Sequence, residues 1–244
     1  MLDRLRSSGR ILRIPVPEAS DDSRANGPGA SETLEVVGPV SLPIRVSGDE
    51  RIARWHVGQA GDSSGQGDHP YEEVSVLQFG DPNDQESRPL VRIHSACLSG
   101  DTLGSLRCDC GPQLESAILQ ISDASQGGLL IYMVGHEGRG IGLWSKAAAY
   151  LVQEEGLDTY AANRVLGFED DQRDFRLAAA VIRHLLGDRP FDLLTNNPLK
   201  VRALQSLGVT RVSRRELVEG ESAHNECYLR AKREHGHLLP VGTR

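Results

Sequence analysis

A continuous apolar run, LLIYMV at residues 129–134, sits between two helix-period segments, and strands and helices alternate in this way across residues 89–213. An unbroken apolar run of this length fits a strand buried on both faces, as in a sheet with helices packed on either side. Before it, Leu114, Ala117, Ile118 and Ile121 recur at helical spacing, and Gly127 and Gly128 end that segment. After it, helices are expected from about Leu143 to Glu155, stopped by Gly156, and over 174–186. FDLLT (191–195) reads as a strand, Asn197 and Pro198 cap and open a helix that ends at Gly208, and VTRVS (209–213) is the last strand. A terminal helix is expected over 223–236, and VSVLQFG (74–80) and PLVRIHS (89–95) read as strands separated by the turn-rich DPNDQES. The alternation predicts an α/β fold, a layered mixed sheet flanked by helices. LEVVGPVSLPIRV suggests short strands with turns, which gives the chain a small N-terminal β-rich extension. Residues 17–33 read as a linker and 58–70 as a mobile loop, both from their Gly, Ser and Pro content.

Bulk properties exclude several function classes. The 244 residues carry a formal charge of −7, so no global basic field is available to collect nucleic acid or an anionic membrane surface. No apolar run reaches membrane-spanning length. The N-terminal MLDRLRSSGRILRIPVPEAS has basic residues without the apolar core of a secretory signal, so the expected compartment is the cytoplasm. Thiols stay reduced there, and clustered cysteines serve metals or catalysis more often than disulfides.

Three of the four cysteines fall in CLSGDTLGSLRCDC, residues 97–110. Cys108 and Cys110 can converge if the backbone turns at Gly111 and Pro112, and Cys97 can reach them over a loop containing Gly100, Asp101 and Gly104. Soft thiolates at this spacing suit zinc, and three ligands rather than four leave a position for water, as in catalytic sites. A structural site completed by His94 or His136 is the alternative, as is a redox pair with a spare thiol. Cys227 has no neighbour in sequence and reads as a free thiol.

Two strand-to-helix junctions have anion-binding character. GHEGRGIG (135–142) combines close-approach glycines with Arg139, and LLTNNPLK (193–200) places Lys200 in the first turn of a capped helix. Neither matches the P-loop or the dinucleotide fingerprint. Both lie where open α/β sheets bind ligands. Between them, LGFEDDQRDF (166–175) crowds Asp170, Asp171, Arg173 and Asp174 together.

In order along the chain, VRIHSACLSGDTLGSLRCDCG, HEGRGIGL, KAAAY, DTYAAN, LGFEDDQRDF, LLTNNPLK and the tail NECYLRAKREHGHLL resemble the GTP cyclohydrolase II family. LPIRVSGDERIARWHV and VSVLQFGD resemble its N-terminal strands more loosely, and the first forty residues have no counterpart. The resemblance implies two regions, an N-terminal extension over 1–40, partly flexible, and a catalytic domain over 41–244. It implies hydrolysis of GTP at the guanine imidazole ring, with release of formate and pyrophosphate, to a diamino-ribosylamino-pyrimidinone phosphate of riboflavin biosynthesis. It assigns zinc to Cys97, Cys108 and Cys110, a general-base role to Asp171, a place at the α-phosphate to Arg173, and one at the reacting base to Tyr150. A guanidinium is almost always protonated, so charge stabilisation suits Arg173 better than nucleophilic attack. GTP binding is carried over to Arg92, Ile93, His94, Ser95, Gln113, Glu137, Gly138, Arg139, Thr159, Thr195 and Lys200. Magnesium is implied with the substrate phosphates. A homodimer is implied as well, with no nucleic acid and no membrane as partners. Two positions depart from the family pattern: Ala96 stands where a glutamate is usual and His136 where a glutamine is common. The competing readings are a paralogue that stops at the formylamino intermediate or serves a specialised pathway, and a non-catalytic nucleotide-binding module with structural zinc.

Overall fold

The computed structural model describes residues 1–18, 32–60, 72–81, 84 and 88–240. Most of the linker read at 17–33 and of the loop read at 58–70 lies outside them. The strands are β1 (Ile11–Pro15), β2 (Thr33–Val46), β3 (Asp49–Ala60), β4 (Glu72–Phe79), β5 (Leu90–Ser95), β6 (Gly128–Met133), β7 (Phe191–Leu194) and β8 (Val212–Arg215). They form one eight-stranded mixed sheet in the order β1-β2-β3-β4-β6-β5-β7-β8. The pairs from β1 through β4 to β6 are antiparallel, and those along β6-β5-β7-β8 are parallel. The helices are α1 (Leu2–Ser7), α2 (Leu98–Asp101), α3 (Cys110–Asp123), α4 (Gly142–Glu154), α5 (Thr159–Val165), α6 (Arg176–Leu186), α7 (Pro198–Ser206) and α8 (Glu226–Glu234). None of the described helices is long and apolar enough to cross a membrane.

Why these strands read as unbroken apolar runs is visible in the packing. Val91 and Ile93 of β5, Leu129, Ile131 and Met133 of β6, and Phe191 and Leu193 of β7 share one apolar cluster with α6. Their alternates Leu90, Leu130 and Leu194 share the other with Ala117 and Ile121 of α3. Both faces of the parallel half are therefore covered, and alternation with polar residues is lost.

The antiparallel half differs from expectation. LEVVGPVSLPIRV is not a set of short strands but the body of the 14-residue β2. Its register slips between Val37 and Val40, around the cis peptide Gly38-Pro39, so the sheet absorbs the apparent breaker as an irregularity. Ser47 and Gly48, with φ of 50° and 93°, join β2 to β3 in the two-residue turn whose twist matches paired strands. Residue 40 lies inside β2, and β1 belongs to the same sheet as the parallel strands.

β5 is where the chain reverses its direction of winding. The path β5-α3-β6 goes to one side of it, and the next strand of the parallel set, β7, returns on the other. Loops at the carboxyl ends of such strands splay apart and leave a crevice. The segments opening there are Ala96–Cys97 after β5, the kinked 3-10 segment Val134–Arg139 after β6, and Thr195–Asn197 after β7.

Candidate functional site

The crevice after β5 holds the cysteines. Asp101 draws residues 97–101 back on themselves: its carboxylate accepts the Cys97 N–H at 3.0 Å, the Tyr132 hydroxyl at 2.9 Å and His94 Nε2 at 3.0 Å. Cys97 Sγ then lies 3.6 Å from Cys108 Sγ, and with Cys110, the first residue of α3, the three sulfurs lie within 4.8 Å of one another. Gly100 makes this convergence possible, since a Cβ there would come within 2.9 Å of Cys108 Sγ and 3.1 Å of Cys97 Sγ. Three soft donors around one point fit a zinc ion. Among the described residues this is the one such group of potential ligands. His94 is turned to Asp101, and His136 to Ser95 and the Asp174 carbonyl, so neither is placed as a fourth ligand.

Charge beside the sulfurs comes from α4. The Lys146 ammonium donates to Cys97 Sγ at 3.0 Å, to Ser99 Oγ at 2.9 Å and to Glu137 Oε1 at 2.6 Å, while Glu137 Oε2 accepts the Leu98 N–H at 2.7 Å. Hydrogen bonds with the Cys108 and Cys110 thiols, and then with Lys146, hold the Cys97 thiol far below the ordinary range. Burial works against the Lys146 charge, and Glu137 and Cys97 more than offset it. Tyr150 follows one helical turn later on the same face, its hydroxyl 3.5 Å from Ser99 Oγ and its ring 4.3 Å beneath the Arg107 guanidinium. Burial raises its pKa, so it stays a neutral phenol able to donate.

Cations gather on the far side. Arg139 stands between Gly138 and Gly140 in a run of positive φ (61°, 65° and 92°), a conformation a side chain rarely adopts. It stacks 3.7 Å over the Tyr160 ring, and two of its guanidinium nitrogens are buried without a hydrogen-bond partner. Lys200 is 6% exposed and gives its ammonium only to the Ile93 carbonyl, at 2.8 Å. Burial first, then the neighbouring Arg92 and Arg173, pull its pKa well down. Among the described residues no carboxylate forms an ion pair with Arg139 or Lys200. Arg173 is held differently: Asp171 accepts from it at 2.8 and 2.6 Å, and its remaining arm reaches Ser95 Oγ at 3.2 Å. Burial pushes Asp171 toward the neutral form, but Arg173 outweighs it and the carboxylate stays ionised. Ser95 also meets His136 Nδ1 at 3.2 Å, and His136 Nε2 donates to the Asp174 carbonyl at 2.8 Å, two bonds that a glutamine amide could make as well.

A third group closes the back. Arg92 donates to the Leu194 carbonyl at 2.8 Å and to Gln113 Oε1 at 2.7 Å. Thr159 opens α5 where Asp158 caps it, and Thr195 Oγ1 accepts the Asn197 N–H at 3.1 Å. The pocket so formed encloses about 1130 Å³, part of it open to solvent, and residues after β8 (Tyr228, Lys232, His237 and Leu239) complete its wall.

Most of the expected residues line this pocket; Ile93, Glu137 and Asp171 do not. Ile93 is a core residue whose carbonyl holds Lys200, Glu137 is spent on Lys146 and Leu98, and Asp171 stands behind Arg173. Lys146, Asp101 and Lys232 lie in the quoted segments, but sequence alone assigns none of them a role. For Lys146 a signal existed, since KAAAY puts it four residues before Tyr150 and hence on the same helical face.

The family profile of GTP cyclohydrolase II matches residues 39–216. A GTP cyclohydrolase-2 of Psychromonas ingrahamii is 46% identical over 172 residues, which is 69% of this chain and 82% of that protein. One of Helicobacter pylori is 47% identical over 152 residues, 62% of this chain and 76% of its own length. The riboflavin biosynthesis protein RibBA of Salinispora tropica is 43% identical over 207 residues, which cover 84% of this chain but 48% of that longer protein.

Proposed function

Since the chain belongs to the GTP cyclohydrolase II family, we propose that it hydrolyses GTP for riboflavin biosynthesis, opening the guanine imidazole ring and releasing formate and pyrophosphate. The supporting observation is the polarity of one pocket. Three converging sulfurs stand at one end, and at the other are two buried cations, Arg139 and Lys200, without a carboxylate partner.

In this reading zinc is held by Cys97, Cys108 and Cys110, where it would act as a Lewis acid and lower the pKa of water at its free position. The purine lies against this end, between Gln113, Arg92 and Tyr150. Tyr150, neutral and a donor, orients the opened ring and passes it a proton as the amine leaves. Lys146 draws charge from Cys97 and, with Glu137, fixes the segment at Leu98. Arg139 and Lys200 take phosphate oxygens, which supply the acceptors these cations lack. Arg173 stabilises charge at the α-phosphate, its plane set by the two bonds from Asp171, whose ionised carboxylate is the acceptor for a proton from water. Magnesium accompanies the phosphates. Residues 41–244 carry this machinery, in the cytoplasm. A second copy of the chain is the expected partner, for α4 presents Leu143, Trp144 and Leu151 to solvent at 49%, 83% and 67% exposure.

The test is product analysis. Purified protein incubated with GTP and Mg²⁺ should yield formate, pyrophosphate and the diamino pyrimidinone, identified by mass. A formylamino product would replace this reading by the shortened reaction, and no consumption of GTP would refute it.

A further inference from the structure

We propose that Lys232, on the terminal helix α8, is a positioning residue that sets the orientation of the Gln113 amide in the substrate pocket. The inference rests on the reading that this pocket takes GTP. It starts from Asp109, which occupies the N-cap of α3, a position where a carboxylate ordinarily accepts amide protons of the first turn. Asp109 makes no such bond. Its Oδ2 accepts Gln113 Nε2 at 2.6 Å, and its two oxygens accept the Lys232 ammonium at 2.7 and 2.9 Å. At 1% exposure an ionised carboxylate needs a cation beside it, and Lys232 is its ion-pair partner among the described residues.

The consequence falls on Gln113. An unrestrained amide can turn over and exchange its donor and acceptor. Here the nitrogen faces a carboxylate that can only accept, and the oxygen faces the Arg92 guanidinium, which can only donate, at 2.7 Å. One N–H and one lone pair of Gln113 remain, in fixed places, for a ligand. A purine edge is a fixed pattern of donors and acceptors, so the sense of this amide separates a match from a mismatch. Without Lys232 only the Gln113 amide itself holds Asp109 away from the α3 amides it can cap, so the constraint on the Gln113 nitrogen weakens and Arg92 is left to set the amide from its oxygen side alone. Lys232 lies beyond residue 216, where the profile match ends, in the tail whose sequence also resembles the family, so a wall of the pocket built by the terminal segment contributes to selecting the base.

The experiment uses the zinc-loaded, full-length chain with Lys232→Met, Lys232→Gln and Lys232→Arg. It measures kcat and KM for GTP, competition by ATP, zinc content and melting temperature. Lys232→Met should raise KM for GTP about tenfold, leave kcat within about twofold, and strengthen ATP competition relative to GTP; Lys232→Arg should restore both. Wild-type KM and selectivity in a folded, zinc-replete Lys232→Met or Lys232→Gln variant overturn the proposal. So does parallel loss of kcat, zinc and melting temperature, or failure of both variants to fold, since Lys232 would then be structural. The wild-type enzyme, run alongside, separates the two levels: if it does not turn over GTP the functional reading fails, whereas an active wild type with unaltered variants refutes Lys232 alone.

Discussion

Replacing Lys200 by methionine should make the free enzyme more stable and a poorer binder of GTP. The ammonium is buried with no carboxylate against it, flanked by the cationic Arg92 and Arg173, and its one polar contact is the Ile93 carbonyl at 2.8 Å. Shedding the proton from an ordinary lysine at pH 7 costs about 5 kcal/mol, and this bounds the penalty that the fold bears. Methionine has a similar length, would bring its thioether toward the Phe175 ring, which lies 5.7 Å from the Lys200 ammonium, and forfeits a hydrogen bond and leaves the Ile93 carbonyl unpaired, roughly 1–3 kcal/mol. The net gain is then at most about 2–4 kcal/mol, or a rise of up to roughly 4–16 °C in melting temperature for a domain of this size. The pH dependence has a defined sign. The pKa of Lys200 is depressed on folding, so between that value and about 10.4 the unfolded chain binds the additional proton, and wild type gains stability as pH rises. Methionine has no such term, and the gap between the two proteins should close from pH 7 toward pH 10. Thermal melts across that range, with and without GTP, are the assay. GTP should stabilise wild type far more than the variant, whose KM should rise about tenfold or more. A variant that melts below wild type at pH 7 while retaining its KM would refute the argument on both counts.

Cys108→Ser and Cys110→Ser should each abolish stoichiometric zinc; elemental analysis showing one zinc per chain in both would remove the metal assignment. Burial, then Arg173, push His136 down to about 4, so the unfolded chain takes up that proton first and stability should fall as pH drops from about 6.5 toward 4. His136→Gln should flatten that slope in acid-titrated melts, and an unchanged slope would assign it to other groups. Tyr150→Met should let a formylamino product accumulate while pyrophosphate release continues, which mass analysis with a phosphate assay would decide; unaltered formate yield excludes the role given to the phenol. Trp144→Glu should shift sedimentation from dimer to monomer, and no shift in a dimeric protein would move the interface elsewhere.

Where the sequence was legible, one physical signal dominated. LLIYMV and FDLLT stood out because both faces of those strands are buried, and α6 because seven of its residues are buried against the sheet. Where two signals competed, the reading failed. Gly38-Pro39 is a breaker by local chemistry, yet long pairing with β3 on either side carries β2 through it. VTRVS starts the expected last strand at Val209, which is a core residue, but pairing with β7 begins only at Val212. The helix α5 was passed over as part of a motif although Asp158, accepting the amides of Tyr160 and Ala161, marks its start in the usual way.

At the site, what residue type alone determines was readable and what depends on pairing was not. Three thiols in fourteen residues suit a soft metal ion, and that much follows from residue type and spacing. That Lys146 would neutralise one of them, 49 residues away, and that Lys232 would neutralise Asp109 across 123, depends on how helices dock. The same holds for the cations left over. The chain has 27 basic and 34 acidic residues, and nothing in that balance says which bases will lack an acid. Packing decides it: Arg173 finds Asp171 two residues away, whereas Arg139, on the segment after β6, and Lys200, in the first turn of α7, meet a ring and a carbonyl and form no ion pair with a described carboxylate. A protein of net negative charge thereby holds two unpaired cations in one pocket, and an anionic ligand would relieve the instability of those charges. Affinity for a polyphosphate and the cost to the empty fold are two faces of one arrangement, which is why Lys200 should trade one against the other.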